Sequence, residues 1–339
     1  MKRLGFALAA FASPRLATKA GGSPSTLNTD QLEPFVEMGG KRISGKKALA
    51  AKGLKISIEK VPYPSGERYN LSLSNSVPAP QVVDRVGLVL AAPPAGRERD
   101  WRVFLDVGGS GWCGVKRLGA LGPYPHLQPV RVGQSPPFHR SDLQTVVWDA
   151  KSGEAVLVGF LRQRYGRNKV DIIPNQDARG IARFEAWQEI GFEFPAAHTQ
   201  ILDPLVIAKG NDPLALLEGF GSAVKAHHGR EFDGPPIVGM DTWYGYRDAI
   251  TEEVVLANAR IIGELFGGYP QKMQNLLICD HGWQQNANWG YWEPDTKRFP
   301  HGMKWLSEQL AKEGVDLGFW TTPFWFSEDA PNHKDLVPL

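Results

Sequence analysis

Apolar and polar residues alternate with a period of two through much of the chain between Leu54 and His198. Lys55–Glu59 and Tyr69–Leu73 show this alternation. The further strand-like runs are Val86–Leu90, Trp101–Leu105, Thr145–Trp148 and Ala155–Phe160. Clusters rich in Gly, Pro and Ser, such as Tyr63–Gly66, separate these runs. Many short strands between turns are typical of an all-β sandwich, which is therefore predicted for this part of the chain.

Helical spacing follows the strand-like region. Pro213 stands at a suitable first helical position, and Leu214, Leu217, Phe220 and Val224 recur every three or four residues. Proline is tolerated in the first turn of a helix, and this spacing places the apolar residues on one face. The pattern predicts a helix over residues 212–228.

Short, continuously apolar segments alternate with helical segments from residue 236 onward. The predicted strands and helices, in chain order, are 237–240, 251–267, 276–279, 300–314 and 317–320. Thr251 is the predicted N-cap of the first helix, since Glu252 and Glu253 follow it in the first turn. Apolar strands that alternate with helices predict parallel β/α units.

The sequence therefore predicts two domains after its first 30 residues. Residues 31–235 would form the β-sandwich with its linking helix, and residues 236–339 would hold three β/α units. A closed barrel of eight such units needs roughly 250 residues. The expected fold class is thus β followed by α/β, with the first three units of an incomplete (β/α)8 TIM barrel whose remaining units would lie beyond Leu339.

The first 30 residues have two interpretations and are left out of the fold prediction. Lys2 and Arg3 precede the apolar run Leu4–Ala12, which ends in Ala-Phe-Ala and is typical of a short export signal. Residues 17–30 are rich in Gly, Ser, Thr and Pro, which is typical of a disordered start. The compartment is periplasmic or extracellular under the first interpretation and cytoplasmic under the second.

Composition and charge exclude some classes of protein. The chain is 42% hydrophobic and 22% charged, as expected of a packed globular protein. Its net charge of +2 offers no electrostatic basis for binding nucleic acid or an anionic membrane. Its two cysteines, Cys113 and Cys279, are expected to be inert buried thiols, and no ligand spacing predicts a metal or another cofactor.

Tryptophan is unusually frequent, with 11 in the chain. Those after Pro235 are Trp243, Trp283, Trp289, Trp292, Trp305, Trp320 and Trp325. Flat indole rings pack well against the C–H faces of sugars, but they also bury large areas in ordinary cores. Both a carbohydrate site and core packing are consistent with this enrichment.

Five sequence blocks in the second predicted domain occur in the order and spacing of a known family. They are Gly-Met-Asp-Thr-Trp from Gly239, Ile-Thr-Glu-Glu from Ile250, Asp-His-Gly-Trp-Gln from Asp280, Phe-Pro-His-Gly-Met from Phe299 and Gly-Phe-Trp-Thr-Thr-Pro-Phe from Gly318. This pattern resembles the α-galactosidases of glycoside hydrolase family 36, in clan D. More loosely, Trp101–Gly119 and Gly159–Gly166 resemble the N-terminal β-supersandwich of that family.

The resemblance implies a retaining glycosidase that hydrolyses terminal α-linked galactose, or a related α-glycoside, in an oligosaccharide or other glycoside. Such enzymes use two carboxyl groups about 5–5.5 Å apart and need no cofactor. In the family, these carboxyl groups follow the fourth and sixth barrel strands, which are expected beyond Leu339. No catalytic residue is therefore assigned in this chain.

The resemblance also implies a sugar site at the carboxyl ends of the barrel strands. Trp243 and Trp320 would form walls of the pocket, and Trp283 would contribute to it. Asp280 would accept hydrogen bonds from sugar hydroxyls. Core packing for the tryptophans and a turn before Gly282 for Asp280 are the structural alternatives.

His281 departs from the family pattern, in which a second Asp is expected. An imidazole cannot copy the acceptor capacity of a carboxylate, so a different α-glycoside or a changed substituent at O6 stays open. His281 is nevertheless included in the predicted substrate-binding set. Asp241 lies near the same strand ends, where a role in the pocket and a role as a turn residue are equally consistent with the sequence.

Two further functions stay open besides hydrolysis. A non-catalytic or degenerate carbohydrate-binding protein would keep the aromatic and polar pocket groups without the nucleophile and the acid/base. A galactosyltransferase of the raffinose synthase type would share the fold and differ in its acceptor. The sequence predicts no oligomeric state.

Overall fold

The computed structural model describes residues 32–91, 100–106, 114–118, 139–175, 180–229, 234–267, 273–322 and 326–331. The chain divides into two compact units, Met1–Arg230 and Glu231–Leu339. The predicted export signal or disordered start, Cys113 and Trp325 lie outside the described residues. The predicted domain limits at residues 30 and 235 stay predictions.

The first unit is built from antiparallel strands. Its strands, in chain order, are β1 (Leu32–Met38), β2 (Lys41–Ser44), β3 (Leu54–Tyr63), β4 (Gly66–Asn75), β5 (Gln81–Ala91), β6 (Trp101–Leu105), β7 (Gly114–Arg117), β8 (His139–Asp142), β9 (Gln144–Asp149), β10 (Ala155–Phe160), β11 (Asn168–Pro174), β12 (Ile181–Phe194), β13 (His198–Ile201) and β14 (Leu205–Gly210). One sheet has the order β2-β1-β5-β12-β11-β8. The second has the order β13-β4-β14-β10-β9-β6-β7, with β3 paired to β4.

One hydrophobic core receives side chains from both sheets. Along β4 the alternation seen in the sequence buries Tyr69, Leu71 and Leu73, and β5 of the other sheet contributes Leu88 and Leu90. Side chains on a strand point alternately to its two faces, so the period-two pattern gives each sheet one apolar face. The predicted β-rich character of the first half of the chain is confirmed.

The described part of this unit also contains two helices, a short α1 (Lys46–Ala50) and α2 (Pro213–His228). Asp212 caps α2, because its side chain accepts hydrogen bonds from the backbone N–H groups of Leu214 and Ala215. Leu216 and Phe220 pack on the outer face of the second sheet. The helix predicted over 212–228 is confirmed.

The second unit contains a parallel sheet of three strands in the order β15-β16-β17. The elements are β15 (Ile237–Asp241), α3 (Trp243–Tyr246), α4 (Glu252–Phe266), β16 (Gln274–Cys279), α5 (Gly302–Lys312) and β17 (Asp316–Phe319). Every strand and helix predicted after residue 235 is present, with ends shifted by a few residues. The structure adds α3, a single turn directly after β15.

The core of the second unit lies between this sheet and the helices α4 and α5. Leu277 and Cys279 of β16 are buried together with Val255 of α4 and Leu306 and Leu310 of α5. Burial raises the pKa of the Cys279 thiol to about 12, with a smaller contribution from the nearby charge of Asp241. The thiol therefore stays protonated, as expected of an inert buried cysteine. None of the described helices is long and apolar enough to cross a membrane.

Candidate functional site

Hydrogen bonds tie together the segments that follow the three parallel strands. The backbone N–H of Thr242 donates to the carbonyl of Ile278 (3.1 Å), and the Thr242 hydroxyl accepts from the backbone N–H of Asp280 (3.0 Å). The backbone N–H of Trp320 donates to the carbonyl of Cys279 (2.9 Å). The residues that leave the carboxyl ends of β15, β16 and β17 therefore lie side by side.

The imidazole of His281 lies at the centre of an aromatic cluster at these strand ends. Its ring centroid is 5.8 Å from that of Trp243, 5.6 Å from that of Trp320 and 5.8 Å from that of Trp289. Each ring pair has an edge-to-face geometry, and the four side chains are half-buried. The structure thus brings together Trp243, His281 and Trp320 from the predicted set and adds Trp289.

Trp289 comes from the loop after β16, where no family motif marks it. Its backbone is held by Ser327, whose hydroxyl accepts from the N–H of Trp289 (3.0 Å) and whose N–H donates to the carbonyl of Trp289 (2.8 Å). This contact joins residues 38 positions apart in the sequence. The Trp enrichment of the second unit was the available signal for Trp289, but it did not single this residue out.

Trp283 lies behind the aromatic cluster. Its side chain is 5% exposed, stacks on Trp292 (6.0 Å between centroids) and contacts Phe319 (4.9 Å). Its indole Nε1–H donates to the carbonyl of Trp320 (3.0 Å). In this position Trp283 fixes the backbone that carries Trp320, while its predicted contact with sugar stays a prediction.

The carboxyl groups of Asp241 and Asp280 lie close enough to influence each other where β15 and β16 end. The backbone N–H of His281 donates to Asp280 Oδ1 (2.6 Å), and that of Trp243 donates to Asp241 Oδ1 (2.8 Å). Asp241 therefore both shapes the turn before α3 and supplies a polar group beside Asp280.

Burial is the main reason that the pKa of Asp280 lies above its ordinary value of 3.8. The hydrogen bond to Asp241 and the charge of Asp241 raise this pKa further, while the backbone N–H of His281 opposes the shift. Within the described residues, no three His, Cys, Asp or Glu side chains are grouped as metal ligands. The chemistry of these strand ends is thus that of a carboxyl pair flanked by indole and imidazole rings.

Solved structures show what this fold is similar to. A family 36 α-galactosidase from Geobacillus stearothermophilus in complex with raffinose superposes with a TM-score of 0.52 at 15% identity, over 84% of this chain and 40% of the relative. An α-galactosidase from Lactobacillus brevis superposes with a TM-score of 0.53 at 14% identity, over 94% of this chain and 42% of the relative. The fold of this chain is thus similar to part of the fold of the family 36 α-galactosidases.

Sequence comparison also finds α-galactosidases, over a shorter stretch of the chain. An α-galactosidase from Lachancea cidri is 31% identical over 88 residues, which cover 26% of this chain and 18% of the relative. One from Zygotorulaspora mrakii is 30% identical over 89 residues, with the same coverage of 26% and 18%. No family model matches the chain. The chain is thus similar to α-galactosidases, and so to a glycosidase, while spanning well under half the length of these relatives.

Gly282 shapes the backbone directly after His281. It has a φ of 113°, and a Cβ atom at this position would lie 2.5 Å from the Cα of Asp248. Arg298 links the same two backbone segments, because its Nη1 donates to the carbonyl of Gly282 (3.0 Å) and also to that of Asp248. Only glycine fits this approach of two backbone segments.

We expect Gly282→Ala to lower the free energy of unfolding of the second unit by about 2 kcal/mol or more, because strain and a backbone clash combine. Gly314→Ala is the matched control, since Gly314 has a φ of 70° with nothing within 4 Å of an added Cβ. Gly314→Ala should lower the free energy of unfolding by only about 1 kcal/mol, which is the cost of a left-handed backbone conformation for an alanine. Urea denaturation followed by amide exchange in α5 measures both; equal effects would refute the role of the clash.

The raised pKa of Asp280 predicts the direction of a pH effect on the stability of the second unit. The folded chain holds the proton of Asp280 more tightly than the unfolded chain does. Its stabilising contribution is therefore complete below pH 3.8 and is lost as the pH rises through the raised pKa. Asp280→Asn should weaken this dependence in denaturation measured at stepped pH, whereas Asp316→Asn, at the opposite end of the sheet, should retain it. An unchanged pH profile in Asp280→Asn would contradict the assignment.

Proposed function

We propose that this chain is part of a retaining α-glycosidase and that the carboxyl ends of β15, β16 and β17 form one wall of its sugar site. The substrate class is a glycoside with a terminal α-linked galactose or a closely related sugar. The observation that carries the proposal is the convergence of Trp243, His281 and Trp320 beside Asp280. Aromatic rings next to a hydrogen-bonding carboxyl group suit a sugar, which has C–H faces and hydroxyl edges.

Each residue of the predicted set has a role in this proposal. Trp243 and Trp320 offer indole rings to the apolar face of the sugar. Asp280 accepts hydrogen bonds from sugar hydroxyls, and His281 contacts the ring from the centre of the cluster. Trp283 supports the pocket through its hydrogen bond to the carbonyl of Trp320.

An oligosaccharide is the proposed partner. The solved relatives from Geobacillus stearothermophilus include complexes with raffinose and with stachyose. Such ligands extend beyond one sugar ring, so they need a site that is open on one side. The half-buried state of the aromatic cluster is consistent with that need.

The finer fold belongs to the same proposal. Residues 236–339 would supply the first three units of a (β/α)8 barrel, and residues 31–235 would form the β-sandwich with its linking helix. Active sites of such barrels lie at the carboxyl ends of the strands, which is where the aromatic cluster and the carboxyl pair lie. The nucleophile and the acid/base are assigned to no residue of this chain in the proposal.

The two other functions left open by the sequence would use the same wall of the sugar site. A non-catalytic carbohydrate-binding protein would bind sugar without turning it over, and a galactosyltransferase of the raffinose synthase type would pass the sugar to another acceptor. Both therefore share the binding test below. They differ from the hydrolase in the product formed when a glycoside and a sugar acceptor are supplied together.

Calorimetric titration of the 339-residue chain with galactose and with glucose tests the proposal. Galactose is expected to give measurable heat, which Trp243→Ala should abolish. Tyr244→Ala is the matched control, because Tyr244 is the next residue and is 95% exposed. The absence of heat with any sugar, or equal loss in the two variants, would contradict the proposal.

A further inference from the structure

His281 is held by one nitrogen of its ring. Its Nε2 lies 3.0 Å from the carbonyl oxygen of Ala287. A carbonyl oxygen can only accept a hydrogen bond, so Nε2 must carry the hydrogen. In the neutral imidazole, Nδ1 is then left with a lone pair and can only accept.

The turn that presents the Ala287 carbonyl has an unusual backbone. Asn286 and Ala287 have φ angles of 55° and 54°, so two consecutive non-glycine residues lie in the left-handed region. This conformation is unfavourable for L-residues and persists only where surrounding contacts impose it. Here the backbone N–H of Gln285 donates to the carbonyl of Glu293 (2.8 Å), and that of Ala287 donates to the carbonyl of Gln284 (3.1 Å). The strained turn therefore fixes the partner of His281.

The other ring nitrogen, Nδ1, has no such partner within the described ranges. Among the residues that the structure describes, no group hydrogen bonds to Nδ1 of His281; the neighbouring rings are those of Trp243, Trp289 and Trp320. Asp280 contacts His281 through the backbone N–H (2.6 Å). The acceptor on Nδ1 is thus available to a ligand in the aromatic cluster.

We propose that His281 is a specificity-determining residue of this sugar site, whose Nδ1 accepts a hydrogen bond from a hydroxyl group of an uncharged sugar. The inference rests on the proposed function. Because Nε2 donates to the Ala287 carbonyl, Nδ1 supplies a single acceptor at the place where the family pattern has a second carboxylate. A sugar carboxylate would meet the lone pair of Nδ1 and the nearby carboxyl groups of Asp241 and Asp280, so the site selects hexoses against hexuronates.

The first test is spectroscopic and needs no ligand. In a long-range 1H–15N spectrum of the labelled chain, His281 should show the Nε2–H tautomer. His301 is an internal control with the opposite expectation, because its Nδ1 lies 2.8 Å from a carboxylate oxygen of Glu252. Added galactose should shift the Nδ1 resonance of His281. The Nδ1–H tautomer at His281 would overturn the proposal.

The second test uses two variants with amide side chains. His281→Gln keeps an N–H near the Nε2 position, facing the Ala287 carbonyl, but has no acceptor near Nδ1. His281→Asn places an amide oxygen near Nδ1 and has no donor for Ala287. We expect His281→Gln to bind galactose about tenfold more weakly than the native chain, with His281→Asn less affected. Galacturonate should give no heat with the native chain.

The outcomes separate this inference from the function on which it rests. If the native chain binds no sugar, the proposed function fails and the inference fails with it. If the native chain binds galactose and His281→Gln binds it equally well, only the inference fails. Thermal unfolding of each variant shows whether it is folded, and the tautomer of the native chain decides the matter if His281→Gln does not fold.

Discussion

Asp280→Ala is expected to remove measurable galactose binding by the chain. Hydrogen bonds to a charged acceptor contribute about 1.5–3 kcal/mol each, so losing two of them lowers affinity by about 100-fold or more. The change also leaves the neighbouring Asp241 without its carboxyl partner. Calorimetric titration against galactose measures the effect.

Asp316→Ala is the matched control for this substitution. Asp316 is an exposed aspartate at the start of β17, and it accepts a hydrogen bond from Gln274 (2.9 Å) at the other end of the sheet. Its replacement should leave galactose affinity unchanged. Native affinity in Asp280→Ala, or an equal loss in Asp316→Ala, would show that Asp280 does not contact the sugar.

Trp283→Ala is expected to lower the free energy of unfolding of the second unit by about 3–5 kcal/mol. The side chain is 5% exposed and lies between Trp292 and Phe319, so truncation leaves a cavity in the core. The carbonyl of Trp320 also loses its hydrogen bond from the indole N–H. Hydrogen exchange of the α5 amides in urea measures the stability of this unit separately from the sandwich.

Trp283→Phe separates packing from the hydrogen bond. It keeps an aromatic ring in the core but removes the indole N–H, so the expected loss is smaller, at about 1 kcal/mol. Galactose affinity should fall in this variant as well, because the carbonyl of Trp320 loses one of the two hydrogen bonds that hold the Trp320 backbone. A Trp283→Ala chain with native exchange rates in α5 would contradict this account of the core.

The elements of the second unit could be predicted because their signals are local. The strand around Leu277 is a continuous apolar run, and Thr251 followed by two glutamates is a helix start that the structure confirms by a side-chain hydrogen bond to the N–H of Val254 (3.3 Å). In the first unit, Pro213 gave an equally local helix-start signal, and the structure has α2 begin there. Such contacts join residues close in sequence, so one window of the chain contains both partners.

Strands β11 and β12 were missed because their charged residues are paired across the sheet. Asp171 of β11 binds Arg140 of β8 (2.7 Å) and accepts from the indole N–H of Trp187 on β12 (2.9 Å). Lys169 of β11 is buried against Asp142 of β8. These pairs bury charges that a local pattern assigns to solvent, and their partners lie up to 31 residues away.

The candidate site was partly predictable because several of its residues stand in local sequence motifs. Trp243, Asp280, His281 and Trp320 stand in motifs directly after apolar strands, so their convergence followed from the parallel order of the sheet. The contact between His281 and the Ala287 carbonyl depends on a strained turn that tertiary contacts impose. No sequence pattern predicts such a turn. The pairing of Asp241 with Asp280 required the register of β15 against β16.

The indole N–H resonances of the chain, recorded with and without galactose, test the central claim most directly. We predict that galactose shifts the resonances of Trp243 and Trp320 while those of Trp101, Trp148 and Trp187 in the sandwich stay in place. Shifts confined to the sandwich tryptophans, or no shift at any galactose concentration, would contradict a sugar site at the carboxyl ends of the parallel strands.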